Sequence, residues 1–357
     1  MFTAALKYRI LSVVLVLMLG CSSRNDFDAY FPEKVVLKSD NVVPVKEVYL
    51  KFPMMYNVTD TSLMVAAAAM NLSSGKHLAY LISKNTGKVL KELGEGGRGP
   101  QEIMTVNNLS GYGKLITAYD GTTRKILKYD PYTDSAWVQN LNFKQKFSYR
   151  NACLVSENKV FSYGQFGGNM FGASDLITGD EHFDVPQPEL PDLSKDQQAA
   201  LSLAKSYAYA GRIIKHPTAD KFAFYGLLAG YFQIVELNGS AIKPIMKWDF
   251  APPKGKIVFK VDAYVWGSDK TATFRFLDGT SSEKYLYLLY SGKTNENDDS
   301  MNRSKYVFVL DWEGKRVRLI ELDEDAYCIA VDRKDKTLFA LSTNQTSLEH
   351  EVRRFPL

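Results

Sequence analysis

The sequence predicts an all-β fold, a six-bladed β-propeller with four-stranded blades, and three observations carry that prediction. Tyr, Phe and Gly number 21, 20 and 24 in 357 residues, a bias towards strands and turns over helices. From Val42 onward, short apolar-aromatic runs alternate with polar turns rich in Gly, Asn and Asp. The hairpins recur at gaps of about 45 to 75 residues, and four strands per unit of about 45 residues is the period of a propeller blade.

The N-terminus has a different texture. Lys7 and Arg9 precede an apolar stretch from Ile10 to Leu19, interrupted only by Ser12. A stretch of about ten residues is too short to span a bilayer but suits the core of a signal peptide. It ends in Met18-Leu19-Gly20-Cys21, which resembles a bacterial lipobox with Met where Leu is usual. The lipobox implies removal of residues 1–20 as a signal peptide and acylation of Cys21. Residues 21–41, opening with Ser22-Ser23-Arg24-Asn25-Asp26, then read as a polar lipidated tether, and residues 42–357 as the propeller. Ser22 rather than Asp after Cys21 points to the outer membrane, with the periplasmic or cell-surface side left open.

The blades are read in order as 54–94, 103–145, 148–187, 207–250, 267–322 and 326–357. The first holds Leu78–Ser83, a turn at Asn85-Thr86-Gly87-Lys88, and Val89–Leu93. The second holds Leu115–Tyr119, Lys125–Tyr129 and, after Asp130-Pro131-Tyr132-Thr133-Asp134, Ala136–Phe143. The third turns at Glu157-Asn158-Lys159 and at Thr178-Gly179-Asp180, the fourth at Asn238-Gly239, and the fifth at Glu313-Gly314. The last contains only three strands, ending at Phe355, and three strands leave an unpaired edge. Val42–Leu50 is expected to supply the fourth and so close the ring. Between blades three and four, Ser194 and Gln197 form a capping-box pattern, and Gln197–Ala208 places Ala200, Leu201, Ala204 and Ala208 on one helical face. A short inserted helix is expected there, and a solvated loop at Asn295–Asp299.

The stretch Gly94-Glu95-Gly96-Gly97-Arg98-Gly99-Pro100-Gln101-Glu102-Ile103 fits the dinucleotide fingerprint GxGxxG, with Asp120 about twenty residues on. That reading needs a long helix after the glycines. Asn107-Asn108 and Gly111-Tyr112-Gly113 break any helix begun at Pro100, and Asp120 follows a β-type run. No Gly-Lys-Ser/Thr follows, so a P-loop is excluded as well. The stretch suits a sharp connection between two blades. Arg98 and Glu102 are its charged residues, and they are the candidate ligand contacts.

Gly96-Gly97-Arg98-Gly99-Pro100-Gln101-Glu102-Ile103 resembles the G-x-G-x-G-P-x-E-F signature of TolB-like six-bladed β-propeller lipoproteins of the Bacteroidetes. Ile103 stands where an aromatic is usual, and the first glycine spacing differs. With the lipobox and the blade rhythm, the resemblance covers nearly the whole chain. It implies a fold similar to the NHL and TolB propellers and an envelope address, and carries no particular activity.

Chemical motifs are sparse. The formal net charge is +4, and loss of residues 1–20 removes Lys7 and Arg9 but no acid. Basic residues are interspersed, so a nucleic-acid partner has no support. His77, His182, His216 and His350 lie far apart and form no metal-binding set, so no metal or other cofactor is expected. No GxSxG elbow occurs, and Asp332/Asp335 and Asn297-Asp298-Asp299 lack the spacing of an EF-hand. Asp134-Ser135-Ala136 and Asp299-Ser300-Met301 match a short O-glycosylation acceptor pattern. Cys153 and Cys328 lie in apolar runs; export permits a disulfide, and their context suits two buried thiols.

The function expected is that of a non-catalytic envelope lipoprotein, attached to a membrane by its N-terminal lipid, that binds a protein or glycan partner. The alternative is a hydrolase or lyase acting on a sugar- or lactone-type substrate at the central channel.

Overall fold

The computed structural model describes residues 27–45, 52–67, 77–190, 201–260, 263–267, 271–294, 301–344 and 346–357. The expected signal peptide (residues 1–20), Cys21, the capping-box pattern at Ser194 and Gln197, the expected loop at Asn295–Asp299 and the acceptor pattern at Asp299-Ser300 lie outside them.

Two strands precede the first blade: β1 (Lys34–Leu37) and β2 (Asn41–Val45). Blade one is β3 (Pro53–Asn57), β4 (Ser62–Ala67), β5 (His77–Ser83) and β6 (Val89–Glu95). Blade two is β7 (Asn108–Tyr112), β8 (Leu115–Asp120), β9 (Lys125–Asp130) and β10 (Ser135–Asn140). Blade three is β11 (Ser148–Leu154), β12 (Lys159–Phe166), β13 (Asn169–Asp175) and β14 (Glu181–Pro186), followed by the helix α1 (Ser202–Ala208). Blade four is β15 (Gly211–Lys215), β16 (Lys221–Gly226), β17 (Gly230–Asn238) and β18 (Ala241–Ala251). A separate hairpin, β19 (Lys256–Lys260) and β20 (Ala263–Gly267), comes next. Blade five is β21 (Phe276–Ser281), β22 (Tyr285–Tyr290), β23 (Ser304–Asp311) and β24 (Arg316–Ala326). Blade six is β25 (Cys328–Val331), β26 (Thr337–Thr343) and β27 (His350–Pro356).

Each blade is an antiparallel meander, and its first strand is innermost. The six inner strands β3, β7, β11, β15, β21 and β25 touch their neighbours in a closed ring, and β7 also reaches β15 across the axis. Strand side chains alternate between the two faces of a sheet, and each blade packs on both faces. In β16, Phe222 and Phe224 join the cluster shared with blade three, while Ala223 and Tyr225 join the one shared with blade five. The buried apolar residues therefore form six clusters, one in each gap between adjacent blades. This two-sided burial explains why many strands read as continuous apolar runs.

The N-terminal strand closes the ring as expected. β2 pairs antiparallel with β27 and completes blade six, with Asn41 opposite Arg354 and Val45 opposite His350. Its residues after Val45 lie outside those described. Arg354 grips Asp40 through Nε and one terminal nitrogen at 2.8 and 3.0 Å.

Two features differ from the sequence reading. The packed chain begins at Phe27 rather than Val42: Phe27 and Phe31 lie against Phe308 at 5.4 and 4.8 Å, and β1 adds a fifth, parallel strand to blade five. A polar run frames these aromatics, so composition alone averages them away. Blade five starts at Phe276 rather than 267, because Lys256–Lys260 and Ala263–Gly267 pair with each other as β19 and β20. Of the expected helix Gln197–Ala208 the described residues show Ser202–Ala208, with Ala204 and Ala208 buried on the expected face; residues 197–200 lie outside them.

Meander topology sorts the connections onto two faces. Turns between first and second, and between third and fourth, strands share one face. Turns between second and third strands and all blade-to-blade connections share the other. The Gly-rich loop, α1 and the β19–β20 hairpin all join blades, so they lie together on this second, insertion face.

Candidate functional site

The Gly-rich loop is held by its own groups. Gly97 N donates to Ile103 O at 3.0 Å and Ile103 N to Glu95 O at 3.0 Å. Glu102 Oε2 accepts from Gly99 N at 2.6 Å, and Lys125 Nζ donates to the carbonyls of Gly99 and Glu102. A side chain at Gly97 would collide with Glu102, whose Oε2 lies 2.0 Å from the Cβ position. Glu102 thus organises the loop, while Arg98 projects into solvent on the insertion face. Asp120 is fully buried and binds Met104 N, Thr105 Oγ1 and Thr122 N at 2.7 to 2.8 Å. It fastens the loop to blade two and does not face a ribose site.

The propeller axis holds a cavity of about 30 Å³, room for about one water, lined by inner strands of blades one, two, four and five. Polar side chains stitch neighbouring blades there. Asn151 donates through Nδ2 to Asn107 O at 2.8 Å, and its Oδ1 accepts from Ile213 N at 3.4 Å. Asp278 Oδ2 accepts from Ile329 N at 2.9 Å, and its Oδ1 lies 3.5 Å from a terminal nitrogen of Arg212. Burial pushes the Asp278 carboxyl up to about 7, against the opposing pull of Arg212 and two backbone N–H groups. Sequence reasoning missed this pair. Its only trace is one acid inside Phe276–Ser281, where a two-sided strand otherwise takes apolar or small residues.

The four histidines fall on four blades. His77 meets Glu92 at 2.9 Å and His182 meets Asp184 at 3.8 Å, whereas His216 accepts from Ala219 N through Nδ1 at 2.9 Å. Among the described residues no group of three His, Cys, Asp or Glu is placed to hold a metal. Cys153 and Cys328 are both free and buried, in inner strands of blades three and six.

On the insertion face, blade three and α1 enclose a much larger cleft, of about 570 Å³. The segment before β11 supplies Lys146 and Phe147, and β11 its first residue Ser148; β12 supplies Gln165 and the turn after it Gly167 and Gly168; the segment after β14 supplies Gln187; and α1 supplies Ser202 and Lys205. Ser202 Oγ donates to Gln187 Oε1 at 3.1 Å, and Gln187 N donates to Gly168 O at 2.9 Å, which ties the walls together. None of these residues carries a motif; chain folding alone assembles them.

Comparison with known proteins bears on this architecture. No curated protein matches the chain. Among solved structures, it is similar to a protein named as exported from Bacteroides fragilis NCTC 9343, at 12% identity and TM-score 0.53, covering 91% of this chain and 99% of that one. It is also similar to a member of the duf4221 family from Bacteroides vulgatus ATCC 8482, at 11% identity and TM-score 0.51, covering 89% and 97%. A protein of unknown function from Bacteroides thetaiotaomicron VPI-5482 matches at 8% identity and TM-score 0.51, covering 91% and 74%. At such identities the likeness shows the fold alone. The family model for TolB-like 6-blade propeller-like proteins matches residues 29–334, and with six meandering blades closed by an N-terminal strand, the chain belongs to that family.

Proposed function

We propose that this protein is a non-catalytic binding module of the cell envelope, tethered by lipid at Cys21 in the outer membrane, that presents its insertion face to a protein or glycan partner. The observation that carries the reading is the contrast between the two cavities. The axis offers about 30 Å³ and is crossed by inter-blade hydrogen bonds, whereas the cleft on the insertion face offers about 570 Å³. A hydrolase or lyase working at the channel needs room for a sugar ring there. The insertion face also exposes Arg98 and the aromatic pair Phe259 and Tyr264, which meet edge to face at 5.1 Å and are 62% and 53% exposed. Exposed aromatics and arginine are the residue types that anchor partners. The exported description of the B. fragilis structure agrees with an envelope address.

Capture of envelope material by the intact, membrane-attached protein tests this. Retention of a defined protein or glycan by the wild type, reduced by Arg98→Glu or by Phe259→Ala with Tyr264→Ala, is expected. Equal capture by all three chains, or none by the wild type, overturns it. Cys21→Ser is expected to release the chain from the membrane fraction.

A further inference from the structure

Lys205 is in an unusual position for a lysine. It is 9% exposed, projects from α1 into the lining of the cleft, and has no hydrogen-bond or ion-pair acceptor among the described residues, with Glu189 as the opposite charge acting on it. Its stem is buried, while its ammonium opens onto the cleft. Other buried lysines are satisfied: Lys84 donates to Asn57 Oδ1 and Thr59 O at 2.5 and 2.6 Å, and Lys125 reaches two carbonyls. Lys128 shares the lack of an acceptor but lines neither the axial cavity nor this cleft.

We infer that the cleft is a binding site for an anionic saccharide, with Lys205 bonded to the acidic group. A ligand's anion supplies the acceptor that the described residues do not, through a charge-assisted bond. Lys146, exposed at the rim, adds a second positive charge. The remaining polar lining is amide and hydroxyl, from Gln165, Gln187 and Ser202, which suits ring hydroxyl groups rather than a second charge. Gln187 spends its Oε1 on Ser202, so its amide NH2 is the end left to donate. Half-buried Phe147 gives one apolar edge. The volume, about 570 Å³, exceeds what an isolated inorganic anion fills and lies in the range of small-molecule sites. Gly167 and Gly168 keep one wall open: their φ angles are +61° and +100°, and a Cβ at either would meet nothing within 4 Å. The acidic group is a carboxylate or a sulfate ester.

The inference rests on the binding reading above and is tested separately from it. The intact protein is titrated calorimetrically with glucuronate, N-acetylglucosamine 6-sulfate and glucose. Dissociation constants of about 1 mM or tighter are expected for at least one anionic sugar, with glucose at least roughly tenfold weaker. Whichever anion binds identifies the source of the charge. Lys205→Met is expected to weaken that binding at least tenfold while melting close to the wild-type temperature, since Met keeps most of the buried stem's volume. Lys146→Ala, at an exposed site that cannot unfold the blade, is expected to weaken it roughly threefold and more so at low salt. No binding of either anionic sugar, or binding unchanged in both variants, overturns the inference. If envelope capture persists in that case, the broader reading stands without it.

Discussion

Asp278 in blade five and Asn151 in blade three hold the same place. Each directly follows a bulge in its innermost strand, and each accepts a hydrogen bond from an isoleucine N–H in the next blade, Ile329 and Ile213 respectively. One position is therefore filled by a neutral amide in one blade and by a titratable acid in another.

The acid makes stability depend on pH. An unfolded Asp releases its proton near pH 4, whereas the folded carboxyl holds it to about 7. Between these values the folded chain binds the extra proton, so stability is full below about pH 4 and falls as pH rises towards 7, by on the order of 4 kcal/mol. Asp278→Asn keeps an acceptor for Ile329 and is expected to flatten this slope. Denaturant midpoints at pH 5 and pH 8 check it, and a variant that keeps the wild-type difference shows that another group is responsible.

Two glycines separate backbone strain from crowding. Gly94 has φ +68°, and a Cβ there would lie 2.7 Å from Ile103 Cδ1; Gly113 has φ +56° with nothing within 4 Å. Gly94→Ala is expected to cost about 2–4 kcal/mol, and Gly113→Ala about 1 kcal/mol. Equal losses in urea titrations would refute a packing role for the Gly94–Ile103 contact.

Phe31 seats the N-terminal segment on blade five. Phe31→Ala is expected to cost about 3 kcal/mol, and Val36→Ala on β1, 63% exposed, less than about 0.5 kcal/mol. A Phe31→Ala protein that melts like the wild type shows that residues before β2 do not belong to the folded unit.

Both described thiols are expected to be inert. Burial pushes Cys153 up to about 12 and raises Cys328 well above the ordinary thiol range, and the thiolate is the reactive form. Ellman's reagent at pH 8 should label neither until the chain is unfolded, and then both. Rapid labelling of the native protein contradicts the burial of these two strands.

Much of this fold was legible because it is repetitive and local. The turns at Asn85–Lys88, Asp130–Asp134 and Asn238-Gly239 announce themselves by residue type, and the missing strand of blade six follows from counting. The Gly94–Ile103 stretch was legible as a blade connection, since no helix could follow it. The docking of Phe27 and Phe31, by contrast, depends on a groove between strands far ahead in the chain. The β19–β20 hairpin resembles any other hairpin, and its exclusion from blade five shows only once the sheets are paired.

The sequence by itself determined the strands, their meander and the ring they close, because alternation of side chains and turn chemistry act over a few residues. Only the tertiary structure decided which side chains share a site. Arg212 meets Asp278, and Lys146, Gln187 and Lys205 line one cleft, across separations of about forty to seventy residues that no local pattern records. Charge desolvation acts there at the end of folding: the blades bury Asp278 and Lys205 together with their surroundings, and burial gives each its distinct chemistry.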